Sequence, residues 1–469
     1  MTKRIPKPRK AAAKPAKRTA VAAVAEVAVT PVPPLPTMVA PDDLQLGMVV
    51  QGLPNDESRM VIYNQPNSPG YFIRTVDKNG KLQDSRHVST PLPVVQVDRT
   101  LWRTHAQNST ELLSRNALRM TLGADPEIFV VDANDVVIPA FTFLPPKTDP
   151  SKSARYGGLQ FYDGFQAEWT TALSTGNPQC LSYHVDHVQD GMRLVLAAAR
   201  AKNPDAKLSI ASVVPIPRDM IHQYDERHFE LGCSPSENAY GEEPLVVEDP
   251  KMLPFRSAGW HMHMGLGGMK DAPDTNIPKH KIHSAVRMMD AVLGVIGVTF
   301  GQNYPYPERR TLYGRAGEYR YKTTLEYRVP EVLMGAHPAT WNLLWDLGRM
   351  ACWLGLAELN FLWDAEEDEI RHAINKSDVP VALKILKRNE TMLGKMLERI
   401  YYFYDKTSDL THSLDTIYGG IDEAVVAPTD VATNWYLNGN DNRWITHNGL
   451  PGTTWASACT QWEHFKTKV

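Results

Sequence analysis

The sequence predicts an α+β protein, and three observations carry that prediction. Short alternating apolar runs broken by turn dipeptides fill residues 41–102, strand-like segments rich in acids, histidines and arginines follow from Thr121, and the later chain is dominated by helically spaced apolar residues. Side chains repeat every second residue on a strand and about every 3.6 on a helix, so the change of period marks the change of element.

The elements are laid out in order along 469 residues, 43% hydrophobic and 22% charged, a globular composition long enough for two or three domains. Residues 1–40 are basic and rich in alanine and proline, with few large apolar side chains, and are expected to be a disordered tail. They lack the apolar core and cleavage site of a secretory signal; a solvated tail, a transit peptide and an arm touching nucleic acid remain open. Residues 41–102 read as a small β domain, with a hairpin turn at Asn79-Gly80. It holds no cluster of catalytic residue types, which suits a packing or docking module. "THAQNSTELLSRNALRM" has helical spacing and leads into residues 103–469, the expected catalytic region with C-terminal helices.

Charge and cysteine usage limit the function classes. A formal net charge of −3 gives no global electrostatic reason for nucleic acid or an anionic membrane as the main partner, so nucleic acid is expected only at the basic tail. Cys180, Cys233, Cys352 and Cys459 lie far apart without a C-x-x-C pair, which argues against a thiolate zinc site or disulfide framework and fits a reducing cytoplasm. The apolar run "AVLGVIGVTF" is about half of the roughly 20 residues a membrane span needs and reads as the end of a core helix.

Four segments carry the chemistry. In "GADPEIFVVD", Asp125 and Glu127 share a strand face; in "DGFQAEW", Gln166 and Glu168 do, whereas Asp163 joins them only if Gly164 bends the strand. In "AGWHMHMGLG", His261 and His263 face one way and Trp260, Met262 and Met264 the other. In "YGRAGEYRYKTTLEYRVPE", Glu326 and Arg328 align, with Arg309, Arg310, Arg315 and Arg320 upstream. Each alone has a plain structural alternative: solvated strand-end acids, hydrogen-bonded core histidines, or an ion pair. Together, acids that suit hard divalent cations and arginines whose planar forks suit phosphate and carboxylate are what phosphoryl transfer from a nucleotide requires. Neither a P-loop nor the kinase signature set is present.

The order acid-x-acid, Q-x-E, H-x-H-glycine, arginine-rich loop and E-x-R before proline resembles the glutamine synthetase and glutamate–cysteine ligase superfamily. The wording "GADPEIFV", "HMHMGLGG", "RRTLYGRAGEYR" and "LEYRVPE" resembles its phage-type carboxylate–amine ligases, or amidoligases, over about Leu122 to Pro338. The resemblance implies a curved antiparallel sheet whose concave face is the active site, backed by helices. It implies ATP and Mg²⁺, with metal ligands at Asp125, Glu127, Glu168, His261 and Glu326, and Asp163 as a weaker candidate. It further implies His263, Arg310, Arg315 and Arg320 toward nucleotide phosphate, and Arg328 toward the acid substrate, with Glu326 and Arg315 also in the catalytic set. The implied reaction passes through an acyl phosphate to an amide, from a small-molecule or peptide carboxylate and amine, in the host cytoplasm if the chain is phage-encoded. Residues 226–250, polar and turn-rich, suit either a shielding loop or a surface insertion. Two other classes compete: a non-enzymatic virion or scaffold protein retaining this fold, and a metal hydrolase built on His261 and His263. A homo-oligomer is compatible with the resemblance.

Overall fold

The computed structural model describes residues 37–403 except 46, 54–57, 67–68, 78–82, 84–85, 96–119, 155, 172–177, 225–228, 230–235, 244–252, 267–276, 302–305, 313 and 337. Residues 1–36 of the expected tail, the Asn79-Gly80 turn, the helix expected before Met120, most of the 226–250 loop and the chain after Phe403 lie outside the described residues. The end of the expected disordered tail is instead ordered, because Thr37–Val39 pairs as a strand with residues 92–94.

The turn-punctuated runs form a six-stranded antiparallel sheet of β1 (Thr37–Val39), β2 (Val49–Val50), β3 (Arg59–Pro66), β4 (Tyr71–Val76), β5 (Arg86–Val88) and β6 (Leu92–Val95), in the order β1-β6-β2-β3-β4-β5. Alternation along its strands divides it into two apolar surfaces. Val50, Val61, Ile73, Val88 and Leu92 close a small core of their own, while Val49, Met60, Ile62, Tyr63 and Val76 join the core of the larger sheet. The Tyr63 hydroxyl donates to the His280 carbonyl at 2.9 Å, the Phe72 and His280 rings stack at 5.7 Å, and Arg74 pairs with the fully buried Glu358. Among the described residues this sheet belongs to the same compact unit as the rest of the chain.

The charged segments enter a ten-stranded, curved antiparallel sheet. Its strands are β7 (Thr121–Val131), β8 (Val137–Ile138), β9 (Ser151–Lys152), β10 (Leu159–Asp163), β11 (Gln166–Thr170), β12 (Lys207–Ser209), β14 (Glu237–Asn238), β16 (Trp260–Gly265), β17 (Glu318–Tyr321) and β18 (Leu325–Tyr327). The order β14-β17-β18-β16-β7-β11-β10-β9 puts the eleven-residue β7 at the centre, with β8 and β12 on its far end. A separate pair joins β13 (Val213–Pro215) to β15 (Phe255–Ser257).

One face of the large sheet is apolar: Ala124, Ile128, Ala167, Trp169, Trp260, Met262, Met264, Leu325 and Tyr327 are buried. Helices Pro178–Arg200, Lys279–Phe300 and Pro338–Leu356 back it. Two helical glycines let the layers approach closely. A Cβ on Gly191 would lie 2.2 Å from the Trp169 ring, and one on Gly348 would press on Met262 and Met264. Lys279–Phe300 has the length and apolarity of a membrane span, yet 94% of its apolar window is buried inside the protein, as a core helix requires. A wide turn interrupts it at Asp290–Gly294. There the buried Asp290 accepts hydrogen bonds from the Tyr327 hydroxyl (2.7 Å) and the Gly317 amide (2.6 Å), and burial pushes its pKa up to about 7. The apolar pattern after Val379 forms two helices, Val379–Arg388 and Glu390–Phe403, divided at Asn389, whose side-chain amide donates to the Asp364 and Ile385 carbonyls.

Candidate active site

The other face of the large sheet carries nearly all the polar residues singled out in the sequence. Register explains the gathering. Glu168 on β11 lies opposite Glu127 on β7, Asp125 opposite His261 on β16, and His263 opposite Glu326 on β18, which in turn faces Arg320 on β17. Paired residues of neighbouring strands project to the same side, so these side chains share one surface.

Asp163 joins them by a route that strand parity along one segment misses. Gly164 and Phe165 form the turn of a hairpin between β10 and β11, so Asp163 pairs directly with Gln166 and shares its face. Gly164 takes φ +59°, and glycine at the first turn position is what a type II′ hairpin favours. Among the described residues, Glu127, Asp163 and Glu168 each bring one carboxylate oxygen within 4.8 Å of the others. Glu127 is held from behind, because its Oε2 accepts the Gly259 amide at 2.8 Å and its carbonyl accepts the Trp260 indole N–H at 3.1 Å. Burial, then the Asp163 charge, pushes the Glu168 carboxyl well above the usual range, with Lys147 opposing and Glu127 and Asp125 reinforcing. Buried like charges this close require a proton or a cation between them, and an all-oxygen anionic donor set suits a hard divalent ion.

Asp125, expected to share a metal with Glu127, is engaged elsewhere. His263 sits opposite Gly123, whose lack of a side chain leaves room for the imidazole to reach diagonally to Asp125, Nε2 to Oδ2 at 3.1 Å. His263 Nδ1 lies 3.0 Å from the Thr324 hydroxyl. Burial works against both charges, but the pairing outweighs it: His263 is raised by the Asp125 charge and hydrogen bond, and Asp125 is lowered by those of His263 together with Lys147 and Arg320. His261 behaves oppositely. Burial, then Arg328, Arg320 and Arg309, holds it well below the ordinary imidazole value, so it is a neutral nitrogen donor whose Nδ1 lies 3.5 Å from Glu326 and 3.9 Å from Glu127.

The His263–Asp125 pair has a calculable pH signature. The histidine's contribution is complete below its unfolded value near 6.5 and disappears as pH rises through its raised folded value; the aspartate's is present above 3.8 and disappears as pH falls through its lowered folded value. Stability from the pair is therefore largest in the mildly acidic range. In His263→Ala the melting temperature should lose this component of its decline above neutral pH, as thermal denaturation across pH 5–9 would show; a decline as steep as in the parent would contradict the pairing.

The arginines divide. Arg320 grips Glu326 with two nitrogens, Nε to Oε2 at 2.7 Å and Nη2 to Oε1, and Arg328 Nε lies 3.4 Å from the same carboxylate while its Nη1 donates to Ser236 at 2.9 Å. Ser236 is a described part of the 226–250 segment. Arg310, expected at the phosphate, is not brought to this face: it is buried against the Val329 and Gly314 carbonyls and pairs with Glu331 at 2.7 Å. Arg309 beside it donates to the Ala258, Arg328, Val329 and Pro330 carbonyls. Both satisfy backbone acceptors where the chain leaves β18, which arginine density alone does not reveal. Arg315 is engaged by Glu318 (3.2 Å), Glu242 (3.4 Å) and the Glu243 carbonyl (2.9 Å). Lys147, which no motif marked, stands 3.3 and 3.4 Å from the two Glu168 oxygens.

No family model matches the chain, and no curated protein matches it. Solved structures to which it is similar include a bifunctional glutathione synthetase from Pasteurella multocida, with a TM-score of 0.34 and 12% identity over 76% of this chain and 53% of that one. They also include GmaS without ligand, with a TM-score of 0.30 and 12% identity over 77% of this chain and 82% of that one. The GmaS/ADP complex gives 0.31 and 11% identity, over 77% and 83%. The chain spans about half the length of the glutathione synthetase.

Proposed function

We propose that the chain is an ATP-dependent carboxylate–amine ligase that makes an amide through an acyl phosphate, as the amidoligase-like motifs imply. The observation that carries the reading is the division of one sheet face into an acidic part, Glu127, Asp163 and Glu168, and a cationic part, His263, Arg320 and Arg328, with the neutral His261 between them. The three acids and His261 would hold Mg²⁺, which would supply positive charge to neutralise nucleotide phosphate.

The chain's own residues supply the remainder. His263, whose pKa Asp125 raises, adds positive charge to this part of the face while its two ring nitrogens are held by Asp125 and Thr324. Arg320 and Arg328, oriented by Glu326 on neighbouring strands, present N–H groups that offset charge as the γ-phosphoryl moves to a substrate carboxylate. The acyl phosphate so formed gives phosphate as a good leaving group, and an amine attacks the carbonyl carbon, forms the C–N bond and expels it. Arg328 is the arginine assigned to the acid substrate; Arg315, just ahead of β17, is held by Glu318 and Glu242. Carboxylate and amine are small molecules or peptides, and the setting is cytoplasmic.

Binding only to the folded state raises its apparent stability, by about 2.7 kcal/mol at a hundredfold excess over Kd. Mg²⁺ with ATP should therefore raise the melting temperature, and mixtures of acids and amines should elicit ADP release. An unchanged melting temperature at millimolar Mg²⁺ and ATP would overturn the proposal.

A further inference from the structure

The segment Pro145-Pro146-Lys147-Thr148-Asp149-Pro150 is built to hold one cation over the acids. Two prolines fix φ ahead of the lysine and a third closes the segment. The Asp149 amide donates to the Pro146 carbonyl at 3.0 Å, making a turn with Lys147 at its second position, and the Tyr162 amide donates to the Pro145 carbonyl at 3.0 Å, tying that turn to β10. Phe161, the β10 residue opposite Glu168, faces the same side as the carboxylates, and the Lys147 ammonium lies 4.7 Å from its ring centre. That ammonium straddles both Glu168 oxygens at 3.3 and 3.4 Å.

The lysine is placed to be displaced. Its distances exceed the 2.7–2.9 Å of a tight charge-assisted bond, and its side chain is 57% exposed whereas that of Glu168 is 6% exposed. An ion pair with its cation this exposed is partly screened by solvent and is readily exchanged. One ammonium offsets only part of the charge of three carboxylates, and a divalent ion taking its place offsets more of it. We infer that Lys147 is the resident counter-cation of the carboxylate cluster, which a divalent metal must displace, so that this lysine sets the metal affinity. The inference rests on the reading of Glu127, Asp163 and Glu168 as the metal-holding acids.

The ammonium and the metal compete for the same oxygens, and the turn keeps the displaced amine beside the cleft. Removing the charge while keeping the stem should therefore tighten metal binding, whereas another cation should not. The test is Mn²⁺ binding to the full chain, without nucleotide, followed through the paramagnetic resonance signal of free Mn²⁺. Lys147→Met should bind about three- to tenfold more tightly than the parent, the gap narrowing as ionic strength rises, while Lys147→Arg binds no more tightly than the parent. A parent that binds no Mn²⁺ at millimolar concentration would overturn the metal-site reading and this inference with it. A parent that binds, with Lys147→Met equal or weaker or Lys147→Arg equally tightened, would overturn the inference and leave the metal site standing.

Discussion

Glu168→Gln is expected to raise the melting temperature of the metal-free protein and to weaken its response to divalent cations. Glu168 is 4% exposed and its carboxyl is pushed up by burial and by Asp163, so the fold disfavours its ionised form. For an acid raised in the folded state the sign is clear: the penalty is present above the folded pKa and disappears as pH falls through it, when the carboxyl takes a proton. Glutamine keeps the shape and an oxygen for Lys147 while removing the charge, and the pair it weakens is exposed on the lysine side. The gain should be roughly 2–4 °C, largest at high pH, and Mn²⁺ affinity should fall on the order of a hundredfold because one anionic ligand becomes neutral. Thermal melts at pH 5, 7 and 8.5 with and without Mn²⁺ decide it. A lowered metal-free melting temperature with an intact metal response would refute the assignment.

The second large effect is expected at Glu326. This carboxylate orients Arg320 through two nitrogens, touches Arg328 and lies within 3.5 Å of His261, so the cationic part of the face is arranged around it. Glu326→Ala leaves the nearly buried Arg328 poorly compensated, and breaking a buried pair in this way costs about 3–5 kcal/mol. Glu326→Gln preserves volume and hydrogen-bond acceptance and separates folding from turnover. Both variants should lose ADP release by about a thousandfold or more with a competent acid and amine, and Glu326→Gln should do so while retaining a cooperative melt. Full turnover in a folded Glu326→Gln protein would remove Glu326 from the site.

These residues were legible to different degrees for physical reasons. His261 and His263 could be placed on one face because Trp260, Met262 and Met264 alternate with them, and apolar side chains on one parity commit the other parity to the opposite surface. Glu127 and Glu168 followed by the same rule. Asp163 did not, because two residues with turn geometry reverse the chain between it and Gln166, and counting along one strand cannot see a hairpin. Lys147 was invisible for a related reason: it sits on a turn, and only the tertiary pairing of Pro146 with Tyr162 carries it to Glu168. The resemblance puts Arg310 at the phosphate, whereas the Val329 carbonyl and Glu331 that claim it come from about twenty residues further along the chain. The core helix Lys279–Phe300 was foreshadowed by its apolar spacing; its wide turn at Asp290 was not.

That wide turn gives the two arginine-bearing strands of the site a common gauge. Asp290 is fastened to Gly317, which precedes the Arg320 strand, and to Tyr327, which lies between Glu326 and Arg328. The height of both guanidinium groups above the sheet is thereby referenced to a helix in the protein's interior and not to the loops at its rim. A change of length or sequence in those outer loops can then reshape the entrance to the cleft while the spacing of the two guanidinium groups stays fixed, so what the rim admits and how the cationic ribbon is held are free to vary independently in this fold.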